Sequence, residues 1–271
     1  MQTLLAVAQA QPIFDWSFFQ DAVLHPSGPF LDGLWRTVYI SVLAQLLGVL
    51  GGLVLALMRR SRWLVVRRIA AAYVWVVRGT PLLVQLVVVY NGLAATGIYR
   101  FEDVSVGGLV ILGVIQAAVL TMALHESAYM SEIIRAAIDA VDTGQSEAAK
   151  ALGMSPAVSM RHVILPQAAR IVVPPLGNEF NLMMKSTSLL SVIGVQEMFL
   201  TAQSINSATF KTFEIFSAAA VYYLALTTIW SVIQGWIERR LGDPGSPPGP
   251  SGGVRERMFG GSARTTVEVA H

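Results

Sequence analysis

The sequence predicts an all-α protein that crosses a membrane several times, and two observations support this. The 271-residue chain is 54% hydrophobic and only 13% charged, whereas about a quarter of the residues in a soluble domain are charged. Its apolar residues gather in stretches of about 20, the length that a helix needs to span a bilayer. The formal charge is only +2 and the basic residues are clustered, which argues against nucleic acid as a partner.

The residue types that hold metals or act as thiol nucleophiles are scarce. The chain has no cysteine and four scattered histidines, so disulfides, thiolate metal sites and cysteine catalysis are excluded. We expect no metal and no cofactor. The opening "MQTLLAVAQAQP" has no basic residue and is a poor signal peptide. Residues 1–30, with "FDWSFF", resemble an aromatic segment at an outer membrane interface.

Five spans follow from the apolar stretches. They are residues 34–58, 69–93, 106–129, 171–195 and 215–236. The second span is interrupted by Arg78 and Pro81. The fourth is interrupted by Pro174 with Pro175 and by the charges of Glu179 and Lys185. Such interruptions are tolerated only inside a bundle or beside water.

The basic residues between the spans predict the orientation. They follow the first, third and fifth spans: Arg59, Arg60, Arg62, Arg67 and Arg68; Arg135, Lys150, Arg161 and Arg170; Arg239, Arg240, Arg255, Arg257 and Arg264. The N-terminus is therefore expected outside and the C-terminus in the cytoplasm. The tail 242–271, with "GDPGSPPGPSGG", is rich in Pro, Gly and Ser and is expected to be a disordered cytoplasmic tail.

A polar segment, residues 144–166, lies on the predicted cytoplasmic side. Ser146 is expected to cap a short helix that starts at Glu147, and Gly153 suits the left-handed residue that ends it. Ser155 and Pro156 then start a second helix, which Pro166 closes. Ala148, Ala149 and Leu152 are predicted to share one face, which a second protein could seat in a groove. The alternative is a solvated connector between two spans.

This segment resembles a known family. The spacing of Glu147-Ala148-Ala149, Gly153 and Leu165-Pro166 resembles the "EAA" signature of permease subunits in bacterial ABC importers, with Val163 where the family has isoleucine. "RGTPLLVQL" at 78–86, "ESAYMSEIIRAAI" at 126–138, "GQSEAA" at 144–149, "ILPQA" at 164–168 and "NEFNLMMKSTSLLSVIG" at 178–194 resemble its polar amino-acid (histidine, glutamine or glutamate-type) branch. The resemblance covers about residues 31–240.

The resemblance implies a five-helix type I ABC importer transmembrane domain over residues 31–241, multi-pass in the inner membrane. It implies three kinds of partner besides the lipid bilayer: a dimer of ABC ATPases, a second permease that is identical or related, and an extracytoplasmic substrate-binding protein. The chain has no G-x-x-x-x-G-K-[ST] loop, so a partner would hydrolyse ATP. The implied ATPase-coupling residues are Glu147, Ala148, Ala149, Leu152, Gly153, Leu165 and Pro166.

Ionisable and polar residues in the spans are the candidates for a substrate path. They are Gln85, Asn91, Glu179, Asn181, Lys185, Thr187 and Ser188. Glu179 and Lys185 lie six residues apart, about 120° around a helix, so they are not expected to pair with each other. Among the ionisable residues of the spans, Arg78, Glu126, Glu179 and Lys185 stand out. The alternative to a role in the path is a structural one, in which Arg78 and Lys185 pair with Glu179 or with backbone carbonyls that prolines leave free; a structural role is likewise the alternative for Glu126. His125 is expected to be a satisfied polar group, and Gly48, Gly51 and Gly52 are expected to allow close helix packing.

Two other functions stay open. The first is a stand-alone secondary transporter or channel, against which stand the odd number of spans and the lack of a visible inverted repeat. The second keeps the importer fold but changes the cargo to another small polar solute, such as an opine or cystine.

Overall fold

The structure is a computed structural model and describes residues 14–241. Its helices are α1 (Trp16–Leu24), α2 (Gly28–Arg59), α3 (Leu64–Arg78), α4 (Leu82–Val87), α5 (Leu93–Ala95), α6 (Gly113–Asp139), α7 (Thr143–Ala151), α8 (Pro156–Ser159), α9 (Leu165–Ser186), α10 (Met198–Thr209) and α11 (Thr212–Leu241). Two strands, β1 (Val104–Val106) and β2 (Leu109–Ile111), pair antiparallel. The predicted N-terminal segment 1–30 is described only from residue 14, and the predicted tail 242–271 lies outside the described residues.

Helix α6 is the centre of the bundle and packs most extensively against α2. Glycines on α2 make this contact possible. A Cβ atom at Gly48 would lie 2.5 Å from the Glu126 Cγ, and one at Gly51 would lie 2.9 Å from the Ser127 Cβ. The expectation that Gly48, Gly51 and Gly52 permit close packing is confirmed, because Gly52 likewise lies directly against Met130.

The second predicted span is broken, as its proline suggested. Helix α3 ends at Arg78, α4 begins at Leu82, and the two directions differ by 104°. Pro81 has no N–H and restricts the residue before it, so the helix cannot continue through Thr80. A π-helical turn, Val88–Gly92, then joins α4 to α5.

The third span was placed too early in the sequence. Residues 106–129 were expected to form it, but the helix is Gly113–Asp139. The first apolar residues of the predicted span belong to the β1–β2 hairpin, whose turn has positive φ at Gly107 and Gly108, as type I′ turns require. The polar end of α6 escaped the prediction because Glu132 and Arg135 lower its hydropathy without breaking the helix.

The prolines of the fourth span do not break it. Pro174 and Pro175 lie inside α9, and the side chains of α11 hydrogen-bond to this stretch. Gln234 Nε2 donates to the Pro174 carbonyl at 3.2 Å, and Trp230 Nε1 donates to the Gly177 carbonyl at 2.8 Å. These two hydrogen bonds hold α11 against the proline-containing stretch of α9. Beyond α9 the chain continues as a 3₁₀ helix, Thr187–Ile193, which Gly194 ends with φ +88°.

Helix α10 was not predicted, because the expected fourth and fifth spans left residues 196–214 as a loop. Glu197 starts this helix: its carboxylate is buried and accepts from the backbone N–H of Phe199 and of Leu200, each at 2.8 Å. The hydroxyl groups of Thr37 and Tyr223 also lie within 3.4 Å of Glu197 Oε2. Glu197 therefore ties α10 to α2 and α11.

Two of the described helices, α2 and α11, are each long and apolar enough to cross a membrane, and the bent pair formed by Leu64–Arg78 and Leu82–Ala95 would make a third. The fifth span was expected at 215–236 and lies within α11. Helices α6 and α9 are more polar, and many of their side chains are buried against other helices. They form the interior of the bundle, where the candidate site lies.

Candidate functional site

A cavity of about 200 Å³ lies between α4, α6 and α9. We call it the acidic chamber because two carboxylates, Glu126 and Glu179, line it. The other lining residues are Leu82, Met122, His125, Tyr129, Leu182, Met183 and Ser186. Apolar walls around a few polar groups are typical of small-molecule sites.

Glu126 is fixed by α2. Its side chain is buried against Gly48, and Gln45 Nε2 donates to Glu126 Oε1 at 3.0 Å. A side chain at position 48 would collide with the Cβ and Cγ atoms of Glu126. Gln45 Oε1 is itself buried and has no hydrogen-bond partner in the described chain. One carboxylate of the chamber is therefore held in place by a close helix contact and one hydrogen bond.

Glu179 enters the chamber from α9 and is half-buried. Within residues 14–241 its carboxylate makes no hydrogen bond and no ion pair, and Lys185 is not its partner, as expected. An unpaired carboxylate among apolar side chains is costly. It gains most from a mobile cation or a hydrogen-bond donor that enters the chamber.

His125 is a satisfied polar group, as expected. Its Nδ1 lies 3.0 Å from Gln85 Oε1, and Gln85 Nε2 donates to the Val77 carbonyl at 2.8 Å and to the Thr80 hydroxyl at 2.7 Å. Because the Val77 carbonyl can only accept, the amide nitrogen of Gln85 faces it and the amide oxygen faces His125. His125 Nδ1 therefore carries the proton.

The remaining path candidates lie elsewhere. Lys185 and Ser188 line a second cavity of about 320 Å³ together with Phe199, Phe216, Ala219, Ala220 and Tyr223. Thr187 is buried and donates its hydroxyl proton to the Met184 carbonyl at 2.7 Å. The structure thus separates Glu179 and Lys185 into two cavities.

Asn181 and Asn91 line neither cavity. Asn181 Oδ1 is buried and has no partner among the described residues, and Asn91 is exposed in the π-helical turn. Of the seven candidates, only Glu179 lines the acidic chamber itself, and Gln85 reaches it through His125. The path candidates omitted Glu126, Tyr129 and Ser186. Glu126 stood out in the sequence as an ionisable residue but was not placed in the path, and an aromatic residue or a serine in a span carries no signal of its own.

Metal ions in proteins are held by groups of side chains. Between residues 14 and 241 no group of three or more histidine, aspartate or glutamate side chains is arranged to hold a metal ion. The two carboxylates of the chamber face a cavity whose other polar groups are His125, Tyr129 and Ser186. The arrangement suits a small cationic group such as an ammonium.

At the other candidate site, α7 protrudes from the end of the bundle that follows α6. Gly153 has φ +76°, its N–H donates to the Lys150 carbonyl, and the Met154 N–H donates to the Ala149 carbonyl. These two bonds make a Schellman motif, which confirms the predicted role of Gly153 as the end of the helix. Ser155 caps the next helix by accepting from the Val158 N–H at 3.4 Å, with Pro156 in its first turn, also as expected.

Three details of this segment were predicted wrongly. The first helix is Thr143–Ala151 and is capped by Asp142, whose side chain accepts from the Gly144 N–H, and not by Ser146. Ala149 is buried whereas Leu152 is 81% exposed, so Ala149 is not part of a surface that a partner could contact. Pro166 does not close the second helix, because a π-helical turn, Met160–Ile164, precedes it and α9 continues beyond.

An ion-pair cluster joins α2 to α6 just before α7. Arg59 pairs with Glu132, and Arg60 Nη1 lies 2.8 Å from Asp139 Oδ1. Arg135 bridges both acids, at 2.8 Å from Glu132 Oε2 and 3.0 Å from Asp139 Oδ2. Such a network couples the ends of the two helices more firmly than isolated surface pairs do.

Known proteins resemble this chain over most of its length. It is 37% identical to the glutamine transport system permease protein GlnP of Escherichia coli (strain K12) over 229 residues, which covers 84% of this chain and 98% of that protein. It is also 37% identical to the L-cystine transport system permease protein TcyB of Bacillus subtilis (strain 168), over 82% of this chain and 90% of that protein. A crystal structure of an amino acid ABC transporter with histidines matches with a TM-score of 0.71 and 42% identity, over 78% of this chain and 94% of that chain.

These similarities confirm the fold and the function expected from the resemblance: an all-α importer transmembrane domain in a multi-pass membrane protein that serves as a permease subunit. The family model for the binding-protein-dependent transport system inner membrane component matches residues 48–243. The match begins inside α2 and runs through the acidic chamber and α7. The chain therefore belongs to the family of binding-protein-dependent transport system inner membrane components.

Proposed function

We propose that this permease subunit carries an amino acid through the acidic chamber and is driven by a separate ABC ATPase. The observation that supports this most is Glu179. Its carboxylate faces the chamber and has no partner within residues 14–241, while Glu126 beside it is held by Gln45. The α-ammonium group that every amino acid carries would satisfy Glu179 through a charge-assisted hydrogen bond.

The proposal includes the partners. An ATPase dimer would contact α7, where Glu147, Ala148 and Leu152 are exposed and the Schellman motif fixes the helix end. A second permease, identical or related, and an extracytoplasmic substrate-binding protein would complete the importer. Any motion of α7 would reach the chamber through α6, because α6 precedes α7 and lines the chamber. The ion-pair cluster would carry the same motion to α2, since it joins the α7 end of α6 to α2. Residues 31–241 would form the transmembrane domain, with the N-terminus outside.

Two alternatives remain. The chamber carboxylates would also accept another small solute that bears an ammonium group, such as cystine or an opine. Relatives of equal identity that are named for glutamine and for cystine make the choice of solute a matter for experiment. A stand-alone secondary transporter would not need a capped helix that protrudes at one end of the bundle, and we do not favour it.

The test uses the complex purified with its ATPase and binding protein. ATP hydrolysis and uptake are measured across the twenty amino acids, with cystine and an opine as additional solutes. Glu179→Gln removes the charge but keeps the shape, and we expect the substrate concentration for half-maximal uptake to rise about tenfold, which corresponds to about 1.4 kcal/mol.

Lys185→Met is the matched control, because Lys185 lines the second cavity. We expect it to leave the apparent affinity for the substrate close to that of the unmodified complex. If Glu179→Gln assembles and imports like the unmodified complex, the chamber is not the site. If no solute stimulates ATP hydrolysis but a proton gradient drives uptake, the secondary-transporter alternative is correct.

A further inference from the structure

A third cavity, larger than the other two, adjoins the acidic chamber. It has a volume of about 460 Å³ and lies where the ends of α2, α3 and α6 meet. We call it the arginine vestibule. Its lining residues are Arg59, Ala71, Val74, Trp75, Arg78, Gly79, Tyr129 and Glu132. It lies at the α7 end of the bundle, since Arg59 and Glu132 belong to the ion-pair cluster.

Tyr129 is the residue that the two cavities share. On the chamber side its ring lies against the His125 ring, with 5.0 Å between the centroids. On the vestibule side the Arg78 guanidinium carbon lies 5.2 Å from the Tyr129 centroid. The hydroxyl of Tyr129 makes no hydrogen bond in the described chain. The ring of Tyr129 is therefore held by contacts with His125 and Arg78 and not by its hydroxyl group.

The two arginines of the vestibule differ in what holds them. Arg59 is tied to Glu132. Arg78 is exposed, and within residues 14–241 it makes no hydrogen bond and no ion pair. Among the described residues it makes the cation–π contact with Tyr129, and its charge also acts on the Glu179 carboxylate. Arg78 lies at the last residue of α3, directly before the 104° bend, so a change in the bend would move the guanidinium off the ring.

We propose that Tyr129 is a gate between the acidic chamber and the arginine vestibule, and that Arg78 is the positioning residue that keeps it closed. The proposal rests on the chamber being part of the transport path. In this proposal the ring blocks the passage, and the guanidinium, which lies at an exposed site, holds the ring by a cation–π contact. Gln85, on α4, links His125 to the Val77 carbonyl near the end of α3. Both side chains that contact the Tyr129 ring, His125 and Arg78, are therefore coupled to the α3–α4 geometry.

The test exploits the absence of cysteine from the chain. Ser186→Cys places a thiol in the chamber and Ala71→Cys places one in the vestibule. Inside-out membrane vesicles that hold the complete, nucleotide-free complex are treated with a membrane-impermeant cationic methanethiosulfonate reagent, so the reagent meets the α7 end first. We expect fast labelling of Ala71→Cys and slow labelling of Ser186→Cys.

The gate is then opened by substitution in the Ser186→Cys chain. Tyr129→Ala should bring labelling close to the rate of Ala71→Cys, whereas Tyr129→Phe keeps the ring and should label as slowly as the parent. Arg78→Ala should speed labelling about fivefold, as expected from losing one cation–π contact, and Arg78→Lys should restore most of the protection. Arg78 is exposed, so its variants remain informative even where Tyr129→Ala fails to assemble.

Two results would overturn the gate. One is fast labelling of Ser186→Cys in the parent chain. The other is a labelling rate that neither Tyr129→Ala nor Arg78→Ala changes. Neither measurement depends on the solute. A complex that shows the expected labelling but responds to no amino acid would refute the proposed function and leave the gate standing.

Discussion

Gln85 shows how a single polar side chain can serve a bend and a cavity together. Its amide nitrogen donates to backbone and side-chain oxygens on the α3 side of Pro81, and its amide oxygen accepts from His125. The sequence suggested Gln85 as a substrate-path residue. Both its amide nitrogen and its amide oxygen have hydrogen-bond partners within the chain. We therefore infer that Gln85 supports the chamber and does not bind the solute.

We predict that Gln85→Met destabilises the protein by about 1–3 kcal/mol, because the Val77 carbonyl and His125 Nδ1 lose their partner in a water-poor place. The measurement is the thermal unfolding midpoint of the purified complex. Gln203→Met is the control, since the half-buried Gln203 side chain makes no hydrogen bond in the described chain. Equal midpoints for the two variants would contradict the role of Gln85.

Asp15 gives a prediction that depends on pH. Its carboxylate accepts from the Ser17 hydroxyl, the Phe18 N–H and Lys211 Nζ, and these donors lower the pKa of Asp15 well below its usual value. A lowered folded-state pKa means that the contribution to stability is complete above the usual aspartate range and is lost only as the pH falls through the lowered pKa.

We therefore expect Asp15→Asn to speed hydrogen exchange at the α1 amides at neutral pH, because an amide side chain loses the ion pair with Lys211 and the negative charge that favours a helix N-terminus. In the unmodified protein the protection of α1 should persist to pH values below the usual pKa of aspartate. Asp21→Asn is the control, since Asp21 lies on α1 and, among the described residues, its carboxylate pairs with the exposed His25 alone. Unchanged exchange in Asp15→Asn would show that the cap does not hold α1.

At the scale of the element, α7 was largely predictable because its signals are local. A Gly with positive φ, and a Ser-Pro pair that starts the next helix, depend only on neighbouring residues, and both were confirmed at Gly153 and Ser155. The start of the helix was missed because Asp142 and Ser146 are both acceptable caps. The continuation through Pro166 was missed because a π-helical turn has no clear sequence signal.

Gly153 is the residue of α7 whose replacement we expect to cost most. We predict that Gly153→Val abolishes transport-coupled ATP hydrolysis, because a β-branched residue at φ +76° is strained by about 1–2 kcal/mol or more. Within residues 14–241, and apart from its two chain neighbours, nothing lies within 4 Å of the position of an added Cβ, so the effect would come from the backbone alone. Gly153→Asn is the matched control, since asparagine tolerates this conformation. Similar hydrolysis rates in the two variants would contradict the prediction.

At the scale of the whole molecule, the sequence predicted the class of protein but not the site. Apolar stretches and the EAA spacing are readable along the chain, and the family match confirmed what they indicated. The acidic chamber depends on Glu126 and Glu179 meeting across two helices, which no local pattern encodes. Hydropathy also misplaced the third span, because the apolar residues of a β-hairpin resemble the start of a membrane helix.

The orientation of the bundle in the membrane is the remaining prediction. The hairpin and α7 lie at opposite ends of α6, and the turn between α2 and α3 is flanked by Arg59, Arg60, Arg62, Arg67 and Arg68. Positively charged loops stay in the cytoplasm, so we expect the turn with Ser61 to be inside and the hairpin with Ser105 to be outside.

Single substitutions test this in the cysteine-free chain. We expect Ser105→Cys to react with an impermeant maleimide on intact cells, and Ser61→Cys to react only after the membrane is permeabilised. Both side chains are in exposed or partly exposed positions outside the long helices, so a lack of reaction after permeabilisation would indicate misfolding and not topology. Reaction of Ser61→Cys but not of Ser105→Cys on intact cells would reverse the orientation. It would place α7 on the side of the membrane that has no ATP, and the proposed contact with an ATPase would then fail.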